Sequence, residues 1–158
     1  MLETATPPKT IRGIAELRAE VGQELGISPW YEISQDRITA FANATGDKYW
    51  IHVDPALAAQ SPMGGTIAHG LFTLSLGIYL MDTIVEFEGF EGKLNYGYER
   101  VRFPAPVPVD SRVRMRLQVV DLAEDDRSAR VTLLQTFELE NSAKPVCIAR
   151  HVLRLAMR

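Results

Sequence analysis

Residues 70–81 form the longest apolar run of the chain, and this run restricts the possible folds more than any other feature. Apolar side chains occupy most positions, and Thr73 and Ser75 are the polar interruptions. A helix of this kind is apolar almost all round, so other segments have to wrap it. At about 1.5 Å per residue it is too short for a bilayer core of about 30 Å. The run therefore predicts a buried central helix.

The second half of the chain supplies segments that can wrap this helix. Four strand-length runs are separated by turn-like segments and cover residues 94–103, 112–121, 130–140 and 146–155. Residues 112–119 alternate strictly between polar and apolar side chains, which indicates a half-buried antiparallel strand. Short turns at 124–126 and 141–142 favour hairpins. These patterns predict an α+β fold in which an antiparallel sheet curls around one apolar helix.

The chain length and composition indicate a single domain. With 158 residues, 46% of them hydrophobic, the chain can bury its own core. Residues 1–10, rich in Pro and Thr, predict a flexible N-terminal arm, which leaves 11–158 as the domain. From Ile11 the apolar residues recur at helical spacing to Leu25, and Gly26 is placed to end that helix.

Charge and cysteine content narrow the class of protein. The chain has 17 basic and 20 acidic residues and a net charge of -3, unlike the basic surface of a nucleic-acid-binding protein. Cys147 is the single cysteine, so neither an intrachain disulfide nor a cysteine-based zinc site is expected. The first residues lack a basic segment followed by an apolar one, which argues against a secretory signal. We expect a cytoplasmic protein that binds neither nucleic acid nor a membrane.

Helix signals define a loop near the middle of the chain. Ser34 is a good N-cap for a second helix, and Gly46 is placed to stop it. Asp54, followed by Pro, has the pattern of an N-cap and first helical position. Residues 47–53 are therefore predicted to form a loop between two helix ends.

This loop contains a carboxylate and an imidazole, on Asp47 and His52. Five positions apart, the two side chains diverge on a helix and lie on opposite faces of a strand. A bent loop can bring them together, so that they share one water molecule. The alternative is an ordinary polar residue after a helix and a surface histidine. Spacing alone leaves both interpretations open.

Two linked motifs resemble a known family. The segment FANATGDKYWIHVDP at residues 41–55, followed by GGTIAHG at residues 64–70, resembles the MaoC-like (R)-specific enoyl-CoA hydratases, and most closely their NodN-like branch. A weaker likeness continues through residues 95–97 and 101–104. The resemblance implies a hot-dog fold, with the curved sheet wrapped around the central helix, and a homodimer.

The resemblance also implies roles for individual residues. The catalytic aspartate and histidine of the family fall on Asp47 and His52. The segment that opens the central helix falls on residues 68–70, which include His69. Tyr49 and Trp50 stand where the usual pattern has Asn and Pro, and we expect these two residues and His69 to contact substrate. For His69, ordering of the loop by side-chain hydrogen bonds is the stronger expectation.

The implied reaction is hydration of a trans-2-enoyl-CoA to an (R)-3-hydroxyacyl-CoA, or the reverse dehydration, without a metal or other cofactor. Coenzyme A is then part of the substrate. Asp47 and His52 would position the water and transfer its proton, with no separate assignment of acid and base. The backbone N–H of Gly70, at a helix N-terminus, would stabilise the enolate oxygen. Alternatively, Gly70 only permits close packing of the helix.

Two other functions remain open, namely a hot-dog acyl-CoA thioesterase and a non-catalytic acyl-binding or partner subunit. Acyl chain length is not predicted. Two further polar residues have structural interpretations. His151 shares a strand face with apolar neighbours and is expected to be a hydrogen-bonded core histidine. Cys147 is expected to be a small buried side chain without thiolate character.

Overall fold

The computed structural model of the protein describes residues 7–157. Its strands and helices follow one another in the order β1 (Lys9–Arg12), α1 (Gly13–Ala19), β2 (Glu24–Ile27), β3 (Tyr31–Ile33), α2 (Gln35–Thr45), α3 (Trp50–Val53), α4 (Pro55–Ala59), α5 (Gly70–Asp82), β4 (Val85–Glu88), β5 (Gly92–Arg102), β6 (Ser111–Glu124), β7 (Ser128–Leu139) and β8 (Cys147–Ala156). The four predicted strands correspond to β5–β8, and the predicted central helix is α5.

These four strands form most of one antiparallel sheet. Its order is β2-β6-β7-β8-β5, and β3 pairs with another part of β6. On β6 the apolar residues of the alternating run are fully buried, including Met115 and Leu117. The intervening Arg114 and Arg116 lie on the opposite face, where both bind Glu138. The predicted α+β hot-dog architecture, with a half-buried strand at 112–119, is confirmed.

Helix α5 lies against the sheet and leaves one face uncovered. It packs on β6 and β8, and its buried residues include Phe72, Leu80 and Met81. Leu71 and Tyr79, two helical turns apart, are 60% and 59% exposed. No helix within residues 7–157 has the length and apolar character needed to cross a membrane. The prediction of a core helix is confirmed, but a single chain does not wrap it all round.

The start of the chain differs from the prediction. Lys9–Arg12 forms β1, which pairs in parallel with β4, so the expected arm over residues 1–10 is wrong at its end. Ile11 lies in this strand and is only 1% exposed, because it is buried in the hydrophobic core. Residues 7 and 8 are exposed and belong to no strand or helix, and residues 1–6 of the expected arm lie outside the described residues.

The helix predicted from Ile11 to Leu25 is also wrong in length. Helix α1 covers only Gly13–Ala19, and Leu25 belongs to β2. Gly22 has φ 85°, in the left-handed region, and ends any continuation of the helix. Val21, which the spacing placed on the buried face, is 40% exposed.

The capping predictions around the candidate site are confirmed, with one correction. The Ser34 hydroxyl accepts a hydrogen bond from the Arg37 N–H, and Gly46 ends α2 at φ 80°. The Asp54 carboxylate accepts a hydrogen bond from the Leu57 N–H at 2.9 Å. Residues 47–53 are not all loop, however, because residues 50–53 form the single turn α3.

A polar cluster lies within the sheet, and His151 is at its centre. Its Nε2–H donates to Asn95 Oδ1 at 2.9 Å, and its Nδ1 lies 3.4 Å from Nε2 of Gln135. The His151 side chain is fully buried. Burial, helped by the nearby charge of Lys93, lowers its pKa to about 4. The prediction of a hydrogen-bonded core histidine is confirmed.

We expect this histidine to destabilise the fold in acid. In the unfolded chain a histidine takes up its proton near its ordinary pKa of 6.5, whereas His151 in the folded protein takes it up near 4. Between these values the unfolded chain binds more protons, so the free energy of unfolding falls as the pH is lowered. The loss is about 3 kcal/mol, at about 1.4 kcal/mol per pKa unit. Urea unfolding at pH 7 and pH 4 measures it. A His151→Gln variant, which cannot titrate, should lose less over the same interval, and an equal loss would contradict the assignment.

Candidate active site

Asp47, His52 and His69 come together although they belong to three different segments. A carboxylate oxygen of Asp47 and one ring nitrogen of each histidine all lie within 4.8 Å of one another. Asp47 follows Gly46 at the end of α2, His52 lies on α3, and His69 is the N-cap of α5. The structure therefore brings together the predicted pair of Asp47 and His52 and adds His69 to it.

The local backbone explains how residues five positions apart can meet. The left-handed Gly46 turns the chain away from α2, and the Asp47 carboxylate then lies 3.5 Å from the Tyr49 N–H. Helix α3 begins at Trp50 and presents His52 from its single turn. The chain therefore changes direction between Asp47 and His52 through a glycine cap followed by a helical turn, whereas the sequence predicted a loop alone.

The hydrogen bond of the His52 ring determines which nitrogen carries the proton. Nδ1 lies 2.7 Å from the carbonyl oxygen of Ile67. Because a carbonyl oxygen only accepts, Nδ1–H must be the donor, and the neutral ring keeps its lone pair on Nε2. The ring is half-buried and lines a cavity. His52 is thus held as the tautomer that can take a proton on Nε2.

His69 lies behind His52 and supports the loop. It is only 3% exposed, and its Nε2–H donates to the backbone carbonyl of Asp47 at 2.9 Å. Its ring stacks on that of His52, with centroids 3.8 Å apart and planes 24° from parallel. The expected hydrogen bonding of His69 to the loop is therefore present. His69 is not among the residues that line the cavity, and its contact with substrate stays a prediction.

The cavity beside His52 is mostly apolar. Its volume is about 270 Å³, and its walls include Ile67, Ala105, Val107 and Val146. Residues 103–107 form much of one wall, although the sequence motifs gave them no role in the site. Their local signals are the weaker family likeness through residues 101–104 and the alternation of Pro104 and Pro106 directly after a strand. An apolar wall of this kind suits the apolar part of a ligand.

Gly70 has structural support for both of its predicted roles. It is the first residue of α5, and within residues 7–157 no side chain caps this end of the helix, where the unpaired N–H groups and the positive end of the helix dipole lie. It also lines the cavity. A Cβ added at Gly70 would lie 2.9 Å from the ring of Phe103, so glycine also permits a close packing contact.

Tyr49 and Trp50 lie at the start of α3, outside the cavity wall. Their rings pack on each other with centroids 5.6 Å apart, and Tyr49 is 59% exposed. Their contact with substrate stays a prediction. Cys147 is fully buried, and burial raises the pKa of its thiol to about 12, so it is not available as a nucleophile.

The same three site residues have the composition of a metal site, but their geometry does not favour one. The two imidazole rings are stacked 3.8 Å apart with planes 24° from parallel, an arrangement that does not suit tetrahedral coordination of one ion by both rings. In addition, Nε2 of His69 carries the proton that is donated to Asp47. Acid/base chemistry by a carboxylate and an imidazole suits the arrangement better than metal coordination does.

Comparisons of the sequence and of the fold with known proteins point to one family. The family described as "MaoC like domain" matches residues 16–140. The 3-hydroxyacyl-thioester dehydratase Z of Mycobacterium tuberculosis is 44% identical over 92% of this chain and 97% of its own length. Nodulation protein N of Rhizobium meliloti is 40% identical over 88% of each chain. The solved structure of the (R)-hydratase from A. caviae aligns with a TM-score of 0.69 and 26% identity over 85% of this chain and 95% of its own.

Proposed function

The chain belongs to the MaoC-like dehydratase family of hydro-lyases, and on this premise we propose that it adds water to trans-2-enoyl-CoA thioesters to give (R)-3-hydroxyacyl-CoA, or catalyses the reverse dehydration. The observation that carries the proposal is the position of His52. Its Nε2 lone pair is fixed by the bond from Nδ1 to Ile67, and its ring lines an apolar cavity beside the Asp47 carboxylate. This is the arrangement needed to activate one water molecule.

In the proposed reaction Asp47 and His52 hold a water molecule over C3 of the substrate. As the C3–O bond forms, the pair takes a proton from the water, and the π electrons of the double bond move onto C2 and the thioester oxygen. A proton is then delivered to C2 from the same face, so that the elements of water have been added overall. The two residues act as a unit in this scheme, without separate acid and base roles.

Gly70 supplies the third function in this scheme. The negative charge that develops on the thioester oxygen needs a fixed donor in a place with little water. The Gly70 N–H lies at the N-terminus of α5, and Gly70 lines the same cavity as His52. The ring of Phe103, which lines the same cavity, lies 2.9 Å from the position that a Cβ of Gly70 would take, so the oxygen is expected to approach the N–H beside this ring.

One assay with crotonyl-CoA tests this function against the alternatives. We expect loss of the conjugated enoyl absorbance without release of free thiol, and oxidation of the product only by an (R)-specific 3-hydroxyacyl-CoA dehydrogenase. Thiol release would instead indicate a thioesterase. No change in either signal would indicate an acyl-binding or partner subunit.

We also propose that two copies of the chain form a homodimer. Strand β5 is the last strand at one side of the sheet, and its residues Leu94 and Tyr96 are 61% and 59% exposed. Together with Leu71 and Tyr79 on α5, they leave apolar surface of the kind that a second copy covers. Sedimentation velocity should give twice the chain mass of 17.6 kDa, and a monomer at micromolar concentration would refute the proposal.

The cytoplasmic location, the lack of a cofactor and the lack of nucleic-acid binding stay predictions.

A further inference from the structure

Gln35, the first residue of α2, connects three parts of the candidate site through its side-chain amide. The amide Nε2 donates to the backbone carbonyl of His52 at 2.9 Å. The amide oxygen accepts a hydrogen bond from the Thr66 hydroxyl at 2.5 Å. A weaker contact of 3.3 Å joins Nε2 to the Thr39 hydroxyl on the next turn of α2. Both functional groups of the amide are therefore in use.

The two principal partners of Gln35 lie on the two sides of the hydrogen bond that orients His52. One side is the backbone of His52 itself. The other is Thr66, which is 2% exposed and directly precedes Ile67, whose carbonyl accepts the Nδ1–H of His52. The amide thus joins α3 to the segment at 66–67, in addition to the backbone hydrogen bond from the Ile67 N–H to the Ile51 carbonyl at 3.1 Å. A change in their separation would lengthen the bond between His52 and Ile67.

A primary amide is the group that this position requires. The carbonyl of His52 can only accept and the Thr66 hydroxyl donates here, so the bridging group must present a donor and an acceptor side by side. A glutamate of the same shape retains the acceptor but turns a carboxylate oxygen toward the His52 carbonyl. A methionine of similar length loses both groups.

We infer that Gln35 is a positioning residue for His52, one that holds its imidazole in the tautomer and orientation needed for hydration. This inference rests on the proposed function of His52. Gln35 does not line the cavity and acts only through the backbone of His52 and through Thr66. Gln35 therefore affects the orientation of the His52 imidazole, and substrate binding should be largely independent of Gln35.

The kinetic test compares Gln35→Glu and Gln35→Met with wild-type protein in the crotonyl-CoA assay. We expect kcat to fall on the order of 100-fold, the effect of misplacing a reacting group by about 1 Å, while KM changes less than about threefold. Gln60→Glu is the matched control. Gln60 is the C-cap of α4, and among the described residues its amide bonds the backbone carbonyl of Ala56 alone, so full activity is expected. If kcat of Gln35→Glu stays within about threefold of wild type, or if the loss appears only in KM, the inference is wrong.

Thr66→Val removes the donor of the hydrogen bond between the Thr66 hydroxyl and the Gln35 amide oxygen. We expect Thr66→Val to lower kcat. The double variant with Gln35→Met should lose little more than either single variant, because both substitutions break one hydrogen-bond network. Simple multiplication of the two losses would mean that the residues act separately and would overturn the inference. This cycle also keeps the test informative if one of the Gln35 variants folds poorly.

A spectroscopic measurement separates this inference from the proposed function. The ¹⁵N chemical shifts of the His52 ring should show the Nδ1–H tautomer in wild-type protein and a mixture of tautomers in Gln35→Met. These shifts report the tautomer whether or not the protein has hydratase activity. Wild-type protein without hydratase activity would refute the proposed function alone. An unchanged tautomer pattern in folded Gln35→Met would refute the role of Gln35 alone.

Discussion

Asp47→Asn and His52→Gln are each expected to lower kcat for hydration of crotonyl-CoA by about 1000-fold. Asn keeps the shape of Asp, and Gln keeps a polar amide near the position of the imidazole, but neither replacement can take a proton. His52 lines the cavity with its lone pair on Nε2, and a carboxylate oxygen of Asp47 lies within 4.8 Å of a ring nitrogen of His52. General acid/base groups contribute about 100- to 10,000-fold each, which sets the size of the effect. Initial rates at saturating substrate measure it.

The double variant distinguishes a cooperating pair from two independent groups. If Asp47 and His52 activate one water together, the double substitution should cost little more than either single one. Asp82→Asn is a suitable control, because this exposed carboxylate at the end of α5 pairs with Lys93 on the surface. Activity within about tenfold of wild type in either single variant would show that the proposed pair is not the catalytic one.

Gly70→Ala is expected to lower kcat/KM by about 100-fold, comparable to the loss of one oxyanion donor. The substitution keeps the backbone N–H, and we expect the new methyl group to crowd the thioester oxygen that this N–H would bind. The methyl group would also lie 2.9 Å from the ring of Phe103, so reduced stability is expected as well. Steady-state kinetics and thermal unfolding of the same protein preparation measure the two effects.

A second substitution separates the two roles of Gly70. Phe103→Ala removes the ring that the new methyl group would meet. In that background we expect Gly70→Ala to cost little stability but still about 100-fold in kcat/KM. If the kinetic cost disappears there, packing is the only role of Gly70 and its N–H is not the oxyanion donor. Gly92→Ala, with open space around its Cβ, is the control for the substitution itself.

Local sequence patterns were sufficient to predict those helices and strands whose formation depends mainly on their own residues. Ser34 and Gly46 cap α2 as predicted, since a cap is made by side chains and backbone within a few positions. The alternation over 112–119 predicted β6 because it reflects burial of one face of a strand. The same approach failed at β1, which exists through its pairing with β4, far away in the chain.

In the candidate site, too, some features could be predicted from local sequence and others depend on contacts between distant residues. Spacing and helix caps made a meeting of Asp47 and His52 possible, and family resemblance made it the preferred interpretation. The wall at 103–107 and the contact between Gln35 and Thr66 were not predicted. Gln35 and Thr66 are separated by 31 positions and meet only because α2 and the segment before α5 pack together. Contacts of that kind leave no periodic pattern in a single sequence.

The pairing of β1 with β4 has a consequence for how the protein is made. The first strand leaves the ribosome before its partner at residues 85–88, which lies beyond the whole of α5. At roughly 5–20 residues per second, several seconds of synthesis separate the two strands. During this interval Ile11 cannot be buried in its final place. The N-terminal strand therefore joins the fold late, as a long-range contact that closes only after the central helix has been made.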